Sequence, residues 1–107
     1  MGAPLQPASE LAAFQAAIEA TYGERDRARG LAPTYMWFVE EVGELGRALR
    51  KGDAENLREE VGDVLAWLTS LASMAGVSLG DAAARYRDGC PRCGESPCAC
   101  RRGPARS

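Results

Sequence analysis

Two short acidic runs restrict how this chain can fold more than anything else in it. Glu40, Glu41 and Glu44 form an E-E-x-x-E run, and Glu60 and Asp63 form an E-x-x-D run further along. Both fall in segments with helical periodicity. A helix advances about 100° per residue, so positions three or four apart share a face. Glu41 and Glu44 therefore point one way on their helix, as do Glu60 and Asp63 on theirs. Packing two such helices side by side brings four carboxylates together. Like charges at that spacing repel, and the arrangement is costly unless a cation sits among them. An all-oxygen donor set suits a hard divalent ion, magnesium or manganese.

The remaining pattern supplies helices to carry these runs. Residues 1–8 hold two prolines and no periodicity, and read as a loose N-terminus. Ser9 can cap a first helix over about residues 10–28, with Leu11, Phe14, Ile18 and Tyr22 at spacings of three and four. Gly30 and Pro33 mark the break after it. A second helix is expected from Thr34 to Arg50, with an apolar stripe of Phe38, Val42, Leu45 and Leu49. Trp37, Glu41, Glu44 and Ala48 form a separate strip about 100° around the axis. Lys51 and Gly52 make the stop, with cations on the negative end of the helix. Asp53 can cap a third helix, Ala54 to Ala75, whose apolar face is Leu57, Val61, Val64, Leu68, Leu71 and Ala75. Glu60, Asp63 and Trp67 run beside that face. Gly76 ends it. Ser78 or Asp81 starts a short fourth helix to about Asp88, with Leu79, Ala82, Ala83 and Tyr86 inward. No stretch reads as a strand. The expectation is an all-α antiparallel bundle of about four helices over residues 1–89, followed by a cysteine-rich tail over residues 90–107.

At 107 residues the chain has room for one domain and a modest core, so oligomerisation is expected. No apolar run approaches the roughly 20 residues that span a bilayer, and Met1 to Pro7 lacks the basic and apolar regions of a secretory signal. These features point to the cytosol. Charge is uneven. Residues 1–89 carry nine Lys/Arg against fourteen Asp/Glu, a balance of −5, and residues 90–107 carry four Arg against Glu95, a balance of +3. The acidic body argues against nucleic-acid binding as the main activity. The absence of histidine removes catalytic triads and imidazole metal ligands.

The acidic runs could simply be solvated helix faces. Such faces usually interleave both signs. Here Arg47 is the nearest cation to Glu41 and Glu44, and Arg58 is the one close to Glu59, Glu60 and Asp63. Each acidic strip also carries a tryptophan at its edge, an expensive residue to leave wet.

The run Trp37-Phe38-Val39-Glu40-Glu41-Val42-Gly43-Glu44-Leu45, followed after fifteen intervening residues by Glu60-Val61-Gly62-Asp63-Val64-Leu65, resembles the MazG-like nucleoside triphosphate pyrophosphohydrolases of the all-α NTP pyrophosphatase superfamily. The resemblance covers about residues 10–87. It implies hydrolysis of a nucleoside triphosphate between its α- and β-phosphates, giving monophosphate and pyrophosphate. It implies magnesium or manganese ligands at Glu41, Glu44, Glu60 and Asp63, with Glu40 an outer ligand or an orienter of the attacking water. It also implies homodimers or homotetramers with sites near the subunit interface. The chemistry agrees, since a divalent ion shields triphosphate charge and a neighbouring carboxylate can accept the proton of water. Trp67 lies one turn beyond Asp63, and Trp37 one turn before Glu41. Either could stack on a base, and either could instead be core or interface. Lys51, Arg47, Arg50 and Arg58 are the nearest cations for the phosphates, with Arg47 and Lys51 preferred, though any of them could be an ordinary surface charge.

The tail contains every cysteine of the chain, as Cys90-Pro-Arg-Cys93-Gly and Cys98-Ala-Cys100. Cys-Pro-x-Cys-Gly is typical of a zinc knuckle, and four thiolates close a tetrahedral structural site with no open position for catalysis. Disulfides and a disordered tail with free thiols are the rivals. The link is too short for a full zinc ribbon. A competing function follows from the tail: a helical zinc-binding module that contacts nucleic acid or protein through Arg101, Arg102 and Arg106. Such a module has no need of the acidic pair of motifs.

Overall fold

A computed structural model describes residues 7–101 as four helices: α1 Pro7–Arg29, α2 Leu31–Lys51, α3 Ala54–Met74 and α4 Leu79–Ala84. There is no strand among the described residues. The expected all-α bundle is therefore correct, and so is the cysteine cluster beyond it. No helix is long and apolar enough to cross a membrane among the described residues.

The boundaries follow local chemistry, with some shifts from expectation. α1 starts at Pro7, so Ser9 lies within its first turn and is not the cap. Proline suits a first helical position because the N–H it lacks would have no partner there. The expected loose stretch otherwise falls outside the described residues. α2 begins at Leu31, before the expected Thr34. Pro33 is tolerated there because the first-turn amides make no bonds within the helix. The break is Gly30 alone, at φ 97°, a backbone region that side chains oppose. Its carbonyl accepts both the Thr34 amide at 3.2 Å and the Thr34 hydroxyl at 2.7 Å.

Gly52 and Asp53 turn the chain between α2 and α3. Asp53 caps α3 as expected, accepting from the Glu55 and Asn56 amides at 3.0 and 3.3 Å. α3 ends in a left-handed glycine turn at Gly76, with Val77 N–H on the Ala72 carbonyl and Gly76 N–H on that of Ser73. Ser78 caps α4, which stops at Ala84, short of the expected Asp88; Tyr86 is half-exposed rather than inward.

α3 packs along α2 on one side and α1 on the other, and α1 also holds α4. Gln15 ties α1 to the α3–α4 corner: its side-chain amide donates to Ser73 Oγ and the Val77 carbonyl, and its oxygen accepts from the Leu79 amide, all between 2.8 and 3.0 Å.

The expected core of the α2–α3 hairpin needs correction. Within one chain, Val42, Leu49, Val61 and Leu68 are exposed, Leu49 by 61%. The strip with Trp37, Glu41, Glu44 and Ala48 is the one turned toward α3, and Ala48 is fully buried. Small side chains at Thr34 and Ala48 let α2 come close, and Trp37 stacks on Trp67 across the contact while staying half-exposed itself. Phe38, Leu45, Leu57, Val64 and Leu71 sit half-buried where the two strips overlap. One chain of this size has more apolar stripe than it can cover.

Candidate functional site

Three helices wall a cleft of about 480 Å³. α1 lines it with Tyr22, Arg25, Asp26 and Arg29, α2 with Trp37 and Glu41, and α3 with Asp63, Ala66, Trp67 and Ser70. At its acidic end, Glu41 and Asp63 line the cleft with Glu60 beside them, and the three each present a carboxylate oxygen within 4.8 Å of the others. They meet because one helical turn separates Glu60 from Asp63, and the tight Gly52–Asp53 turn lays α2 against them.

This trio is electrostatically unsatisfied. Burial pushes the Glu41 carboxyl above its ordinary range, and the charge of Asp63, then the proximity of Glu60 and Glu44, push it further. Glu60 Oε1 is buried and has no hydrogen-bond partner. A buried carboxylate oxygen without a donor is costly, and a cation is the simplest remedy. The residues present fit a hard divalent ion: the donors are all oxygen, they converge, and one of them lacks a partner.

The other expected site residues are placed differently. Glu44 does not join the trio; it is engaged in an ion pair by Arg47, one turn along α2. Glu40 is exposed, off the strip that faces α3. Neither Arg47 nor the exposed Lys51 lines the cleft.

The two tryptophans line the cleft from the same two helices, one turn from Glu41 and Asp63. Trp37 and Trp67 stack with ring centres 6.2 Å apart and planes 15° apart. The Arg29 guanidinium lies over the Trp67 ring, 5.1 Å from its centre. Arg29 is fixed there by Asp26 Oδ1 at 3.0 Å and Thr34 Oγ1 at 3.1 Å. Asp26 and Thr34 are themselves buried, so the guanidinium hangs from a rigid joint between α1 and α2. Sequence reasoning found both tryptophans and missed the α1 contribution. Arg25 and Arg29 sit in a run of alternating charges that reads as helix surface, and only the packing of α1 turns them into the cleft. The one clue was a tyrosine and an aspartate at helical spacing from them.

A family model of the MazG nucleotide pyrophosphohydrolase domain matches residues 31–90. The chain belongs to this family. The matched segment carries both acidic runs and both tryptophans, and α1 lies outside it. Membership implies use of a nucleotide and of a divalent metal. No curated protein matches the chain.

The cysteine tail forms the second cluster. The four sulfurs of Cys90, Cys93, Cys98 and Cys100 lie within 4.8 Å of one another, and none is in a disulfide. Backbone amides hold the Cys90 thiol down at about 6, while sulfur neighbours push that of Cys100 up to about 12. Of the arginines expected to serve a binding module, Arg102 and Arg106 lie outside the described residues.

Proposed function

We propose that the protein hydrolyses a nucleoside triphosphate, ribo- or deoxyribo-, to the monophosphate and pyrophosphate. The observation that carries this reading is the partnerless Glu60 oxygen within the carboxylate trio, at the end of a tryptophan-walled cleft. Glu41, Glu60 and Asp63 would hold magnesium or manganese. Glu44 would complete the set once Arg47 releases it. Such an ion supplies charge neutralisation at the triphosphate and lowers the pKa of a coordinated water.

The chain's own groups do the rest. Water attacks the α-phosphorus, the bond from that phosphorus to the bridging oxygen breaks, and pyrophosphate leaves. Glu40, which adjoins Glu41 in sequence but is exposed off the strip facing α3, would turn toward the trio to orient the water and accept its proton. Arg25 and Arg29 face the cleft with the positive charge that a triphosphate requires, closer to hand than Arg47 or Lys51. The stacked indoles offer a base a flat apolar surface, on half-exposed Trp37 or, once the Arg29 guanidinium moves aside, on Trp67. A cytosolic location suits this substrate.

We also infer that the working form is at least a homodimer. α2 and α3 are antiparallel neighbours, so Val42 and Leu49 on one and Val61, Leu65 and Leu68 on the other form a single exposed apolar face on one side of the hairpin. Gly46 lies in that row on α2, and a Cβ added there meets nothing within 4 Å in the single chain, which leaves space for a close partner. Residues 1–89 would form this assembly and its sites, with residues 90–107 appended.

Pyrophosphate release from a panel of ribo- and deoxyribonucleoside triphosphates, with and without magnesium, tests the activity. Metal-dependent release from at least one substrate is expected, and none from any of them rejects the reading.

A further inference from the structure

The catalytic proposal leaves the cysteine tail without a role. From Gly89 to Arg101 the chain has almost no apolar side chain with which to form a core. Yet its backbone is ordered by specific bonds. The Cys90 amide donates to the Glu95 carbonyl at 3.0 Å, and the Gly94 amide donates to the Cys90 carbonyl at 2.6 Å. Gly89 and Gly94 adopt φ values of 109° and 76°. These bonds curl the segment into a loop with its sulfurs inward.

The sulfur geometry is specific. Cys90 Sγ lies 3.8 Å from Cys100 Sγ, and Cys93 Sγ lies 3.9 Å from Cys98 Sγ. At the usual zinc–sulfur length of about 2.3 Å, the edge of a sulfur tetrahedron is about 3.8 Å. Two opposite edges therefore already have the length that zinc requires. Backbone amides of Arg92, Ala99 and Cys100 donate to the sulfurs of Cys90, Cys93 and Cys98 at 3.3 to 3.4 Å. Donors aimed at sulfur favour thiolate, the form that binds metal.

We propose that Cys90, Cys93, Cys98 and Cys100 bind one zinc ion per chain, as a structural site separate from the nucleotide cleft. Both halves of the assignment rest on donor chemistry. Four soft thiolates select zinc, whereas the carboxylate trio selects a hard ion. Four protein ligands leave no position for water or substrate, which makes the ion a staple. Zinc binding replaces the missing core of the loop, so the segment is ordered by metal as well as by chain. Arg92, between the first two cysteines, and Arg101, directly after the last, offset the net negative charge of a zinc ion with four thiolates.

The test uses the full chain, purified under reducing conditions without chelator, with elemental analysis and thiol counting. One zinc per chain is expected, and none in the Cys93→Ser/Cys98→Ser variant. Cobalt loaded in place of zinc should give the strong visible bands of a tetrahedral thiolate site in the wild type, and lose them in the variant. Gly89→Ala keeps all four sulfurs, but its Cβ would meet the Glu95 carbonyl oxygen at 2.9 Å. It should weaken zinc retention against a competing chelator. Magnesium-dependent turnover and helical circular dichroism should be unchanged in the serine variant. Wild-type protein with four free thiols and no zinc overturns the proposal, as do disulfides in their place or iron bound instead. Zinc retained by the serine variant would locate the ion elsewhere. Turnover lost by a fully helical serine variant would refute the separation of this site from the nucleotide cleft.

Discussion

On the side where α2 and α3 turn toward each other lie Thr34, Glu41, Ala48, Glu60 and two stacked tryptophans. On the adjoining side lie Val42, Leu49, Val61, Leu65 and Leu68, exposed. A hairpin folded for its own stability would have reversed these faces, because burial of aliphatic side chains is the main driving force of folding. The inward face instead holds groups that repel one another, which the proposed metal would reconcile. The outward face holds apolar groups that one chain leaves exposed, which the proposed dimer would cover. With both in place, stability and chemistry would fall on different sides of the same two helices.

The largest expected effect tests the inward face. Glu41→Gln or Asp63→Asn should abolish pyrophosphate release while circular dichroism shows intact helices, because each removes a charge at nearly constant shape. Full turnover by both variants at low magnesium would mean that the trio is only a crowded surface. Next is the outward face. Val42→Glu or Leu68→Glu should convert the assembly to monomer by light scattering at micromolar concentration, since an unpaired buried charge costs several kcal/mol. A wild-type protein already monomeric there would mean that no second chain covers this face. Trp67→Ala should raise KM more than it lowers kcat, by the equivalent of about 1–3 kcal/mol if the base stacks on it. An unchanged KM would return Trp67 to a purely structural role.

The smallest effect concerns pH. Glu41 is raised above its unfolded value, so the native state holds its proton more tightly than the unfolded chain does. The wild type without metal should therefore lose stability as pH rises through that range. Glu41→Gln lacks this penalty. It should melt slightly higher than the wild type at neutral pH without divalent ions, and the gap should close as the solution is acidified. Added magnesium should reverse the order. Melting curves across pH, with and without the ion, measure both.

The helices, the Asp53 and Ser78 caps and the acidic pair were legible in the sequence because each depends on neighbours within a turn or two. What was misread depends on choosing between two stripes on one helix. Val42 and Leu49 look like core on α2 by hydropathy alone, and periodicity cannot say whether the apolar stripe faces its own chain or another. Arg25 and Arg29 escaped for the same reason. Their role is set by how α1 crosses the hairpin, which no local spacing encodes. Glu44 matched the family pattern, yet the single chain pairs it with Arg47.

Gln15 adds a consequence in time. α2 and α3 are joined by two residues and can dock as a local hairpin, whereas the bonds from Gln15 close sequence separations of 58 to 64 residues. Contacts between near neighbours form early and distant closures late. The C-terminal end of α1 is equally local, since Arg29 bonds Thr34 across five residues, so what docks late is the Gln15 end of α1 against the α3–α4 corner. Interactions made last mainly govern how fast a structure comes apart. The N-terminal half of α1 should therefore be the first part to lift away, and faster amide exchange there than in α2 and α3 is the expected signature. A nucleotide bridging the acidic end and the two arginines would slow the spread of that opening along α1, and so lengthen the life of the fold that holds it.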